Sequence, residues 1–210
     1  MSLQLASSPS WVPISTEPPP AAKVRPAYQI EYLLPGAAGR AGLQDFIAAT
    51  FRQSYAAEVS HFSDTLIGCR GADGCWIAGL GFSLAADGPV FLEHYLDAPL
   101  ELAIGERVGQ RIDRNQVVEV GNLAADHAGA ARALIVSVTR MLHSQDLHWV
   151  AFTATPSLLN SFTRLRLKPN WLAEADPRRL PDSGKDWGTY YNTQPQVMFG
   201  DIRYGYAQLA

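Results

Sequence analysis

Only two cysteines occur among the 210 residues, Cys69 and Cys75, and two thiols in a chain of this size make no disulfide framework. Both read as packing residues. Long apolar runs are missing as well: none exceeds four residues, Ala133 to Val136 being an example, whereas a helix needs roughly 18 to cross a bilayer. The N-terminus lacks the basic-then-apolar order of a signal peptide, so a cytoplasmic protein without stable membrane insertion is expected. Positive charge is in no excess. The 17 Lys and Arg stand against 20 Asp and Glu, a formal net charge of −3, and a nucleic-acid partner is not expected. There is no Gly-x-Ser-x-Gly elbow and no Walker loop. His143 and His148 stand alone, without Cys or carboxylate at ligand spacing, so no metal is expected.

What is present is a globular composition, 47% hydrophobic and 18% charged, in a chain long enough to bury a sizeable core. Residues 1–26 carry Ser7, Ser8, Pro9, Ser10 and the run Pro18, Pro19, Pro20 without an apolar period, and read as a flexible arm. Residues 27–210 form a single domain. Strands are expected over Gln29 to Leu34, Thr65 to Cys69, Cys75 to Leu84, Val90 to Tyr95, Gln116 to Val120 and His148 to Ala154. Lys168 to Ala175 and Gln196 to Tyr204 read as two further extended stretches around a polar loop. Leu43, Ile47 and Phe51 recur at helical spacing, and residues 97–115 read as a helix plus a crossing loop. Ala131, Leu134, Ile135, Val138, Met141 and Leu142 form the strongest apolar stripe, opposite Arg132, Thr139, Arg140 and His143. Thr155-Pro156 opens a last helix over Ser157 to Leu165. A meander that gives way to a βαβ unit makes this a mixed α/β domain.

The sharpest local feature is the run Val118 to Ala131, in which a strand passes through a Gly-rich turn into the amphipathic helix. Unpaired N–H groups at such a turn suit an anion, and the small residues Gly129, Ala130 and Ala131 allow a phosphate close approach. The same small residues also suit tight packing of helix on sheet.

This order, with Glu119 on the strand, resembles the core of the GCN5-related N-acetyltransferase superfamily, whose members hold coenzyme A or acyl-carrier-protein thioesters between two splayed parallel strands. The turn Asp126 to Ala131 fits that family's diphosphate loop at Gly129 and Ala131 and departs at Asp126. More specifically, residues 33 to 209 are similar to the thermostable hemolysin family, on FLEHYLD at 91–97, VEVGNLAA at 118–125, FTAT at 152–155, LAEAD at 172–176 and WGTYY at 187–191. That family is related in fold to the acyl-homoserine-lactone synthases. The resemblance implies a single-domain mixed sheet with flanking helices and a splayed central strand pair.

The implied activity is transfer of a fatty acyl group from acyl-carrier protein, or from acyl-CoA, to a small amine or amino acid. Leu123, Ala124, His127, Ala128, Gly129, Ala130 and Arg132 would then hold the donor. Asp126 sits where the acetyltransferases place a hydrogen-bond donor to the diphosphate, and a carboxylate there repels two phosphate charges. A carrier-protein donor, with one phosphodiester further along its arm, is disfavoured less. Arg132, Arg140, Arg164, Arg166 and Lys168 offer either a basic patch for that acidic partner or ordinary solvated charges.

Amide formation requires a neutral amine, so the site needs a base. Glu119 is the first candidate, with a structural carboxylate as its other reading; N–H groups of Leu123 and Ala124 would steady the thioester carbonyl. Glu93, Tyr95 and Asp97 share one face if residues 90–95 are a strand, and with Glu101 they would hold an amine head group, or else form a solvent rim. Trp187, Tyr190 and Tyr191 would line an acyl groove, donate a phenolic proton, or simply pack. No residue stands out as general acid. Two other functions stay open: a hemolysin acting directly on membranes, and a non-catalytic protein that binds acyl thioesters.

Overall fold

The computed structural model describes residues 28–209, so the expected N-terminal arm lies outside the described residues. Alternation along Val117-Val118-Glu119-Val120 sends successive side chains to opposite faces of a central strand. Val117 enters one core with Leu100, Ile104 and Phe199, and Val118 enters another with Leu80, Leu134 and Val138. Glu119 therefore shares the face of Val117.

Seven strands form one sheet: β1 (Gln29–Leu33), β2 (Thr65–Arg70), β3 (Trp76–Leu84), β4 (Val117–Ala125), β5 (Trp149–Ala154), β6 (Asn170–Glu174) and β7 (Gln196–Asp201). Their order is β1-β2-β3-β4-β5-β7-β6, and the pairing is antiparallel everywhere except between β4 and β5. Helices α1 (Arg40–Tyr55) and α2 (Leu100–Val108) cover the face of Glu119, and α3 (Ala128–Ser144), α4 (Pro156–Arg164) and α5 (Ile202–Leu209) cover the other. This is the fold class the sequence implied.

Helix α1 buries Leu43, Ile47 and Phe51, one per turn, and each contributes about 1.5–3 kcal/mol relative to exposure. It lies tight on β3 because residue 79 is glycine: a Cβ there would stand 2.7 Å from Leu43 Cδ1. On α3 the buried stripe is Ala130, Leu134, Ile135, Val138 and Leu142, and the His127 ring caps the helix by accepting from Ala130 N at 3.1 Å. Thr155 caps α4 by accepting from Leu158 N, with Pro156 in the first turn, where its missing N–H costs nothing.

The feature that builds a site is the parting of the two parallel strands. β4 and β5 pair only over Val117–Val120 and Trp149–Phe152. Beyond Val120, β4 follows β3 alone and bulges, because Gly81 faces Gly121 while Gly79 faces Ala124. Asn122 inside the bulge has φ 55° and is held there by its own amide, which donates to His61 O at 3.1 Å and accepts from Ser63 N at 3.2 Å. Thr153 and Ala154 of β5 meanwhile stay with β7.

Four expectations fail. Residues 91–95 are a 3-10 turn and not a strand: Glu93 folds back to accept from Val90 N at 3.2 Å, and Pro99 soon starts α2. The last extended stretch ends at Asp201, whose carboxylate accepts from Arg203 N at 2.8 Å and Tyr204 N at 3.2 Å and so opens α5. That helix covers part of the α3 face expected to be solvated: His143 stacks on Tyr206 with ring centroids 3.9 Å apart. Cys69 is buried, but Cys75 is exposed beside the β2–β3 turn and packs nothing.

Candidate active site

Where β4 leaves β5, two cavities meet. The first, about 360 Å³, runs through the gap and along the α3–α4 face. Leu123, Ala124, His127 and Ala128 line its mouth, and Ile135, Val138, Phe152 and Phe162 line its apolar depth. The second, also about 360 Å³, lies on the α1–α2 face and has Glu119, Phe91, Ser63 and Ser83 in its walls. Gly121, Asn122, Thr153 and Trp187 border both.

Glu119 lines the second cavity, two residues before Gly121, with 5% of its surface exposed. Its Oε2 accepts from Leu92 N at 3.1 Å, in the turn that replaces the expected strand. Burial pushes the carboxyl up to about 7, against the backbone N–H groups of Leu92 and Phe91, which favour the ionised form. A carboxyl poised near neutrality beside a cavity can take a proton from an incoming group. From Gly121 to Ala125 the β4 backbone has no partner on its β5 side, so its main chain faces the gap.

The other expected site residues divide. Trp187 sits at the junction, packed edge-on to Phe51 with centroids 6.1 Å apart. Gly129, Ala130 and Arg132 do not line the cleft; the Ala130 N–H points to His127, and Gly129 lies under the same ring, where a Cβ would come within 3.0 Å of Nδ1. Asp126 is exposed, and Lys168 lies at the cleft edge.

The proposed amine clamp is not assembled. Glu93 accepts from Arg114 Nη1 at 2.6 Å and Leu100 N at 2.8 Å, and Glu101 pairs with the same guanidinium. Arg114 also donates to Ala85 O and Gly88 O, each at 2.6 Å, so the cluster fastens the turn to α2. Asp97 is on the surface and pairs with Arg179 at 2.7 Å. Tyr95 is buried with its hydroxyl 2.5 Å from that of Tyr191, and neither lines either of these two cavities. The period-two face placed on residues 93–97 dissolved with the strand itself.

Sequence reasoning missed Asn122, Ser63, Phe91 and Thr153. Asn122 had a signal: Gly-Asn inside a strand pattern marks a bulge, because asparagine tolerates the left-handed region. Ser63 had none, since it arrives from a loop. Among the described residues no three His, Cys, Asp or Glu side chains converge on a metal-sized space, and no helix is long and apolar enough to cross a membrane.

Solved structures share this architecture. The N-acyl amino acid synthase FeeM from uncultured soil microbes aligns with a TM-score of 0.58 at 17% identity, covering 88% of this chain and 96% of its own. TofI in an apo form aligns at 0.57 and 13%, covering 86% and 95%. The CoA-dependent acyl-homoserine lactone synthase BjaI, solved with SAM and isopentyl-CoA, aligns at 0.54 and 15%, covering 87% and 88%. At these identities the likeness is one of fold alone. No curated protein matches the chain. The sequence pattern of thermostable hemolysin matches residues 34–206, and with that span the chain belongs to the thermostable hemolysin family.

Proposed function

We propose that this protein is an N-acyltransferase, moving a fatty acyl group from a pantetheine thioester to a small amine or amino acid and releasing an amphiphilic amide. One observation carries the reading: two cavities share the walls Gly121, Asn122, Thr153 and Trp187, and one of them holds a buried carboxyl that burial pushes up to about 7. The apolar cleft suits an acyl chain, and the names of the neighbours FeeM and BjaI are those of acyl-group synthases.

In the proposed reaction the ammonium of the acceptor gives a proton to Glu119, and the freed nitrogen attacks the thioester carbonyl carbon. N–H groups of the unpaired Leu123–Ala124 segment steady the oxygen as charge develops. The C–N bond forms, the C–S bond breaks, and the second proton lost by nitrogen leaves with sulfur as the thiol. Glu119 then returns its proton to solvent.

Acyl-carrier protein is the favoured donor and coenzyme A the alternative. The helix end that would face a diphosphate is already capped by His127 and carries Asp126 beside it, whereas a carrier arm asks less of that turn. Arg132, Arg140, Arg164, Arg166 and Lys168 would meet the acidic carrier surface. Both donors place the enzyme in the cytoplasm, and an acyl-amine product that acts as a surfactant reconciles the chemistry with the family's lytic name.

The test compares the lipids of cells expressing the wild type or Glu119→Gln, beside lysis assays with purified protein. A new acyl-amine confined to the wild type is expected. No new lipid in either strain overturns the reading, and lysis by pure protein in the absence of its lipid product favours a direct hemolysin.

A further inference from the structure

The cavity that holds Glu119 has a charge pattern that bears on the nucleophile. Among the described residues the carboxyl in its depth has no cationic partner, and its rim adds two more carboxylates, the exposed Asp64 and Asp87. The aromatic walls Phe91 and Trp187 stand with ring centroids 6.0 Å apart. The rest of the polar lining is hydroxyl, amide and imidazole. Among the described residues neither Lys nor Arg lines this cavity.

Three guanidiniums bond to lining residues, and all are spent on structure. Arg179 donates to His94 O at 3.0 Å, to Leu96 O at 2.6 Å and to the Asp97 carboxylate at 2.7 Å. Arg40 donates to the carbonyls of Leu33, Ser63 and Asp64 at 2.7–2.8 Å. Arg114 donates to two carbonyls and to Glu93 and Glu101. An α-amino acid whose nitrogen reaches Glu119 must carry its own carboxylate in with it. That anion would be desolvated beside a carboxylate and find no cation, the arrangement that costs most inside a protein. A plain ammonium meets the opposite reception, from Glu119, Asp64 and Asp87 beside the aromatic walls.

We infer that the acceptor is a primary amine bearing no carboxylate. The inference rests on the acyltransferase reading and narrows it, away from the amino-acid acceptor included there. Bond changes are those given above: C–N forms, C–S breaks, and the two protons pass to Glu119 and to the thiol.

Matched pairs that differ by one carboxylate provide the test: ethanolamine and serine, tyramine and tyrosine, cadaverine and lysine. Each is offered to the full chain with decanoyl-acyl-carrier protein or decanoyl-CoA at about pH 8. Amide is read by mass spectrometry and thiol release by absorbance. In every pair the amine is expected to show kcat/KM at least about tenfold above its parent amino acid, and Asp87→Arg to narrow that gap. Equal or reversed preference, with amide still made, overturns the inference and leaves the acyltransferase reading standing. No amide from any of the acceptors with either donor overturns both.

Discussion

Glu119 answers to two demands that oppose each other, burial and ionisation. Its value near 7 in the folded protein lies above the ordinary 4.5, so the native state holds this proton more tightly than the unfolded chain does. The resulting stability is full below about pH 4.5 and is lost as pH rises through about 7. Glu119→Gln removes the titration, so its melting temperature should exceed that of the wild type at about pH 8, by up to about 3 kcal/mol in free energy, and differ least near about pH 5. Wild-type kcat/KM should rise with pH through about 7. The glutamine variant should lose it about a hundredfold or more, with no such rise. Asn122 is the second residue on which the gap depends. Asn122→Ala strains the backbone and strips Ser63 and His61 of their tether, at about 1–2 kcal/mol by denaturant melts, and Asn122→Gly should recover the strain but not the tether. Glu119 was legible in the sequence because strand period and family pattern agreed on it. Thr153 was not, since only the parting of β4 from β5 turns an ordinary strand threonine into a wall of both cavities.

At the scale of elements, local rules located nearly every helix and strand, and they failed where a long-range bond decided. Phe91 to Tyr95 has the aromatic and branched make-up of a strand, yet Glu93 bridges Val90, Leu100 and Arg114 and winds the segment into a turn. No window of a few residues contains Arg114. The terminal helix is the reverse case, because Asp201 followed by two bonded N–H groups is a capping signal readable in sequence and overlooked beside the aromatic Tyr204 and Tyr206. The α3 entry also sets a donor prediction. With Asp126 exposed next to a helix end occupied by His127, Asp126→Gln should lower KM for an acyl-CoA severalfold and leave that for the acyl-carrier-protein donor within about twofold. An unchanged KM for acyl-CoA would show that the diphosphate binds elsewhere.

Across the whole molecule, the fold class followed from the order of elements, and the family followed from motifs spread along the chain. The site needed the third dimension: its walls come from the loop before β2, the turn before α2, the β4 bulge, β5 and the Trp187 segment. Purified protein washed free of lipid should leave red cells intact, while a lipid extract of cells making it should lyse them. Haemoglobin release by the washed protein alone would shift the lytic activity back onto the polypeptide. The meeting of two cavities at only Gly121, Asn122, Thr153 and Trp187 has a kinetic corollary. In the proposed reaction the thioester would use one cavity and the nucleophile the other, so neither must depart before the other arrives, and initial-rate plots should intersect in the manner of a ternary complex. Parallel lines would mean that the acyl group rests on the protein between two half-reactions.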